Sequence, residues 1–170
     1  HDALPICVAI IGQAFPYVPI AHPKRFTPDW TFGIRDDELQ KLVDGHRNND
    51  KVEAVILLSH NGMDVDLKLA SRVTGIDVIL GGHTHDAIPI PITVTNAGGV
   101  TLVTNAGSNG KFLGVLDLDV RTFGLIDAEA GQWASCLRVV HGPSMETTCR
   151  IEMEENEAVF SLAFTTFGTT

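Results

Sequence analysis

Gly81-Gly82-His83-Thr84-His85-Asp86 carries the residue types best suited to chemistry in this chain. Two histidines stand one residue apart, behind two glycines and the short apolar run Ile76-Asp77-Val78-Ile79-Leu80. In an extended loop, residues i and i+2 point the same way. Two imidazoles can then face one point, and neutral imidazole is a common metal ligand. A polar surface turn offers the same letters, so this pair alone decides nothing. A third histidine upstream tips the balance. Val52-Glu53-Ala54-Val55-Ile56-Leu57-Leu58 is another strand-like run, and it ends in Ser59-His60-Asn61-Gly62.

The elements around these histidines explain how they meet. A run rich in β-branched residues that closes on Gly-Gly reads as a buried strand ending in a tight turn. Between the two runs, Met63 to Val73 keeps helical i, i+3 spacing at Leu67, Ala70 and Val73. Strand, helix, strand is a βαβ unit, which sets its strands parallel with a right-handed crossover. Parallel strands end on the same edge of a sheet, and open α/β sheets bind ligands there. His60, His83 and His85 are therefore expected to gather at one rim as a metal site. Imidazoles alone admit Zn, Mn, Fe, Co or Ni.

The 170 residues suffice for one domain or a piece of a larger one, and the 44% hydrophobic content can fill a core. A net charge of −9 argues against nucleic acid as a partner. The acidic excess gathers late, at Glu146, Glu152, Glu154, Glu155 and Glu157. No apolar run reaches the length of a membrane span, and no signal peptide is visible at the first residues. Cys7, Cys136 and Cys149 form neither a disulfide framework nor a zinc-ribbon spacing. Cys7 is expected to be a small buried hydrophobe.

His1 to Ile6 reads as the translated end of a common sequencing adapter, so His1 is not counted as a ligand. Cys7 to Ile11 is strand-like and stops at Gly12. A loop follows from Gln13 to Pro23, which its three prolines make stiff and non-helical. Phe15 and Tyr17 give it an aromatic surface, either a wall of a pocket or a pin over the core. Arg35 to Asn49 has the pattern of an amphipathic helix, with Leu39, Leu42, Val43 and His46 on one face and Asp36, Asp37 and Glu38 in the first turn. His46 is read there as a packing residue. Pro89 and Pro91 forbid a central strand. Val100 to Thr104 and Phe112 to Val120 are strands around a Gly/Asn/Ser turn that contains Asn105 and Asn109. Beyond Arg121 the pattern weakens, with a short helix expected around Glu152 to Leu162.

Leu58-Ser59-His60 and Gly81-Gly82-His83-Thr84-His85 resemble the last two metal-binding blocks of the calcineurin-like metallophosphoesterases, in their 5′-nucleotidase branch. Asn105-Ala106-Gly107 through Lys111, with Leu113-Gly114, resembles the loop and strand that follow. Three further stretches resemble the thiosulfohydrolases of bacterial sulfur oxidation: Ile11 to Tyr17, Pro28 to Gly33 and Ser59 to Asp66. The resemblance runs from about Val8 to Val120. It implies an α/β fold, part of a four-layer metallophosphoesterase sandwich, with residues 7–120 as the C-terminal part of that domain. It also implies a centre of two divalent metals, manganese first and zinc or another ion next. His60 and His83 would hold the second metal and His85 the first. The implied enzyme is periplasmic. It would release sulfate hydrolytically from a sulfonated cysteine persulfide on a sulfur carrier protein, the Sox Y–Z complex, with the metals binding sulfonate oxygens and activating water. Gln13, Phe15, Tyr17, Asn61 and Asn109 are the candidates for substrate contact.

The family's earlier blocks, with the bridging aspartate and the catalytic residues, are expected upstream of Val8. Residues 121–170 depart from the family's continuation and remain unassigned. The 170-residue chain alone is accordingly expected to bind metal weakly and not to turn over. Two other readings stay open: a nucleotidase or phosphodiesterase on the same scaffold, and a metal-binding or carrier-docking module without catalysis.

Overall fold

The computed structural model describes residues 7–119, 151–153 and 159–164. Its centre is a five-stranded sheet in the order β1-β2-β3-β5-β4. Strands β1 (Val8–Gln13), β2 (Ala54–Ser59), β3 (Val78–Gly81) and β5 (Gly99–Asn105) run parallel, and β4 (Ile92–Asn96) lies antiparallel on the far edge. The three main helices are α1 (Val18–Ala21), α2 (Asp36–Gly45) and α3 (Met63–Arg72). Helix α3 is the crossover between β2 and β3, so the βαβ unit forms as its spacing predicts. A second sheet has the order β6-β8-β7, from β6 (Gly114–Asp119), β7 (Ile151–Met153) and β8 (Val159–Phe164), all paired antiparallel.

Alternation along the central strands sends side chains to two cores. On one face Ala9, Ile11, Val55, Leu57, Ile79 and Val103 pack with Leu39 and Val43 of α2 and with Met63, Leu69 and Ala70 of α3. On the other face Ala54, Ile56, Val78, Leu80 and Leu102 meet Leu116 and Leu118 of β6. Helices, mixed sheet and second sheet are thus three stacked layers, the α/β architecture expected of a metallophosphoesterase sandwich. The continuous apolar strands β2 and β3 reflect burial on both faces. Ile79 is fully buried. Ile79→Val should cost about 1 kcal/mol, read as a lower urea midpoint with an unchanged slope.

Several expectations need correction. The loop after β1 is not free of helix. Val18–Ala21 forms one α-turn with proline at its start, where no N–H is needed, and Lys24–Phe26 forms a 3-10 turn. Helix α2 ends at Gly45 and continues as a π-turn over His46–Asp50. That wider turn changes the phase of the helix. His46 therefore pairs with Asp50, Nδ1 to Oδ2 at 2.7 Å, instead of packing in the core. Leu42 is 47% exposed, because the buried stripe is carried by Leu39 and Val43. Cys7 is exposed, since it precedes the first residue of an edge strand. Strand β4 begins directly after Pro91. The prolines exclude a central strand but permit this edge one. Of the helix expected around Glu152 to Leu162, the described residues 152–153 belong to β7 and 159–162 to β8; β8 pairs with both β7 and β6, and that pairing overrides a weak local pattern. His1 to Ile6, Cys136 and Cys149 lie outside the described residues.

A candidate metal centre at the sheet rim

Strand register sets the site. Gln13 is level with Ser59, Leu58 with Leu80, and Gly81 with Asn105. Four parallel strands therefore finish along one rim, and His60, Gly82 and His83 are the residues that leave it. The aromatic loop leaves β1 at the same rim. Gly82 lies close to the rim residues: a Cβ there would stand 3.3 Å from the Ser59 carbonyl oxygen and 3.4 Å from His60 Nδ1.

The His60 and His83 rings lie next to each other, with centroids 5.2 Å apart and planes tilted by 57°. Phe15 closes one side. Its ring lies 4.3 Å from that of His83, 6.1 Å from that of His60 and 5.5 Å from that of Tyr17. Burial of part of its ring lowers the pKa of His60, and His83 and His85 add like-charge repulsion in the same direction. A neutral imidazole is the form that offers a lone pair to a metal.

His85 is near enough to weigh on His60 electrostatically. Yet among the described residues no cluster of three or more His, Cys, Asp or Glu side chains is arranged to hold a metal ion. The reason is local. The His83–His85 segment is not extended, because both histidines take left-handed φ angles, 72° and 59°. The i, i+2 argument therefore does not apply to them. Left-handed backbone is uncommon for residues other than glycine and asparagine, and strain of this kind gathers at functional sites. The loop is held against it by Thr84, whose hydroxyl accepts from the Met63 N–H at 3.0 Å and donates to Asp86 Oδ2 at 2.5 Å. The two neighbouring imidazoles suit a divalent transition metal as part of a donor set.

The other candidates divide by burial. Phe15 is half-buried against the histidines, and Tyr17 beside it is 36% exposed. Gln13 and Asn61 bond inward. Asn61 Nδ2 donates to Gln13 Oε1 at 2.8 Å, and Gln13 Nε2 donates to the Ile34 carbonyl. With 1% exposure, Asn61 holds the rim together. Asn109 is exposed in a left-handed turn, with Ser108 Oγ accepting from its amide at 3.3 Å. Spacing arguments missed Asp66, which is fully buried among these groups. Its place on the inner face of α3 one turn before Ala70 was the available signal. Burial pushes its pKa up to about 6 against the opposing hydrogen bonds from Ser59 and Asn61.

No protein-family model matches the chain. Among solved structures, sulfate thiohydrolase SoxB of Thermus thermophilus is 42% identical, with a TM-score of 0.60 over 68% of this chain and 20% of that one. A 5′-nucleotidase precursor, also of Thermus thermophilus, is 32% identical, with a TM-score of 0.56 over 67% of this chain and 25% of that one. The trifunctional nucleotide phosphoesterase protein YfkN of Bacillus subtilis is 37% identical over 90 residues, 53% of this chain and 6% of that protein. A protein of another kind also matches. Pre-mRNA-splicing factor RSE1 of Mycosarcoma maydis is 56% identical over 55 residues, 32% of this chain and 4% of that protein. The chain thus spans a quarter or less of each. Its hydrolase relatives lie in the 5′-nucleotidase branch of the metallophosphoesterases, SoxB among them. Among the described residues no helix is long and apolar enough to cross a membrane.

Proposed function

We propose that this chain is part of a metal-dependent hydrolase that releases sulfate from an S-sulfonated cysteine persulfide on a sulfur carrier protein, the Sox Y–Z complex. The observation that carries the reading is the pair His60 and His83, ring centroids 5.2 Å apart at the rim with Phe15 against them. The 42% identity to SoxB supports the thiosulfonate substrate over a nucleotide. In this reading His60 and His83 hold one divalent ion and His85 contributes to a second. The remaining donors and the catalytic residues come from outside the described residues, and the working compartment is the periplasm. Manganese is the proposed metal. When bound, such ions supply Lewis-acid polarisation and a water of lowered pKa.

The chain's own residues supply orientation. The lowered pKa of His60 keeps its lone pair free at neutral pH. Phe15 fixes the tilt of the His83 ring and excludes water from one side of it. Tyr17 stands at the open edge, where its phenol can meet the sulfonate or the carrier arm. In the full-length enzyme, Tyr17→Ala should lower kcat/KM for the S-sulfonated carrier roughly tenfold. Unchanged turnover and carrier affinity would remove Tyr17 from the substrate site. The reading as a whole is tested by giving the full-length enzyme the S-sulfonated carrier and AMP in parallel. Sulfate release is expected. Phosphate release from AMP alone would favour the nucleotidase reading, which the 32% identity to a 5′-nucleotidase precursor supports. Metal binding with neither product would favour a docking module.

A further inference from the structure

A buried polar cluster lies behind the histidines, and its centre is Asp66. This residue sits on the sheet-facing side of α3 with no exposed surface. Its Oδ1 accepts from the Ser59 hydroxyl at 2.5 Å and from Asn61 Nδ2 at 3.3 Å. Ser59 Oγ in turn accepts from the Asn61 N–H at 3.2 Å. Ser59 and Asn61 are the two neighbours of His60, so one carboxylate grips the chain on both sides of that ligand candidate. Its other oxygen, Oδ2, faces the end of β3. A Cβ built on Gly81 would stand 2.7 Å from it. Gly81 lies two residues before His83. Among the described residues Oδ2 has no hydrogen-bond partner.

A buried carboxylate with an unpartnered oxygen is an expensive way to pack a helix against a sheet. Its neighbours suggest what the carboxylate does instead. We propose that Asp66 is a positioning residue, which fixes the turn carrying His60 against the strand end carrying His83 so that the two imidazoles face one space. Its purpose rests on the metal-site reading above, but its geometric effect does not. The Asn61 amide extends the same network to Gln13 of β1, and so to the aromatic loop.

The test uses the full 170-residue chain and compares wild type with Asp66→Ala, Asp66→Asn and Ser59→Ala. Two-dimensional NMR reads the cross-peak between the His60 and His83 rings. Titration with Co2+ alone reads metal affinity, and urea unfolding reads stability separately. Asp66→Ala is expected to lose the cross-peak and to weaken Co2+ binding at least tenfold in the folded protein. Asp66→Asn should restore both, because an amide oxygen still accepts from Ser59 and Asn61. A folded Asp66→Ala protein with the cross-peak and Co2+ affinity intact would overturn the proposal. If Asp66→Ala does not fold, Ser59→Ala decides: a weakened cross-peak supports the proposal, and an unchanged one overturns it. If wild type shows no Co2+ affinity, the metal reading has failed by itself and the cross-peak alone decides on Asp66.

Discussion

A His83→Ala protein is expected to lose divalent-metal affinity by on the order of 100-fold or more while keeping its fold. Removing a group that only orients a ligand already costs roughly 10–100-fold, and His83 would be a ligand itself. Its ring is one of two that lie 5.2 Å apart at the rim, and Phe15 packs against it. The loss should not come from unfolding. His83 is exposed and takes a φ of 72°, so alanine inherits a strain that histidine already bears. His83→Gly sharpens the point. Glycine adopts that backbone freely, so it should be about 1 kcal/mol more stable than the alanine variant and equally poor at binding metal. His46→Ala is the control, because His46 pairs with Asp50 on α2's π-turn. Calorimetric titration with Mn2+ or Co2+ checks all three. Equal affinity in His83→Ala and wild type would dissolve the metal centre as proposed, and with it the hydrolytic reading.

The sequence made some of this legible and hid the rest, for physical reasons. The apolar runs that end in Ser59-His60 and Gly81-Gly82-His83 are buried on both faces, so the hydrophobic signal was strong and local. The helix between them could only be a parallel crossover. From that, the shared rim followed without knowledge of any side-chain contact. The relation of His85 to His83 was hidden, because it depends on left-handed φ angles that letters do not display. Asp66 was hidden because a carboxylate on a helix reads as a wet residue, and only the tertiary contacts of Ser59 and Asn61 make it an inner one. Leu42 was misplaced because hydrophobicity alone cannot choose which leucines of a wide apolar face touch the sheet. Strands β7 and β8 were missed because their order comes from pairing: β7 with β8, and β8 with β6, a partner distant in the chain. What remained readable was the part whose cause is local. What required the structure was set by distant neighbours.

Arg47→Met should be among the most destabilising single substitutions at a partly exposed position. Arg47 leaves the π-turn after α2 and binds the opposite rim of the sheet. Its guanidinium donates to the carbonyls of Gly75 at 2.9 Å, Glu53 at 2.9 Å and Val52 at 3.3 Å, and it pairs with Asp77. Asp77 Oδ2 also accepts from the Val55 N–H at 2.6 Å. One side chain therefore joins α2 to the beginnings of β2 and β3. Its loss strands a carboxylate that is only 11% exposed. Breaking a buried pair from one side costs roughly 3–5 kcal/mol, and the partial exposure of Arg47 reduces that to about 3 kcal/mol. Acidity should modulate the effect in a defined direction. Burial already raises the Asp77 pKa, against the pull of Val55 and Arg47. A raised carboxyl pKa means that stability falls as pH climbs from the unfolded value through the folded one. Without Arg47 the pKa rises further, so the deficit of the variant should be largest at neutral pH and should shrink toward pH ~4. Urea unfolding at both pH values measures it. A deficit below about 1 kcal/mol at neutral pH, or one that does not change with pH, would show that the clamp is solvated and weak. Because Arg47 works at the amino ends of the strands, the folded variant should keep its metal affinity within about twofold. That would separate what holds the sheet together from what its other rim does.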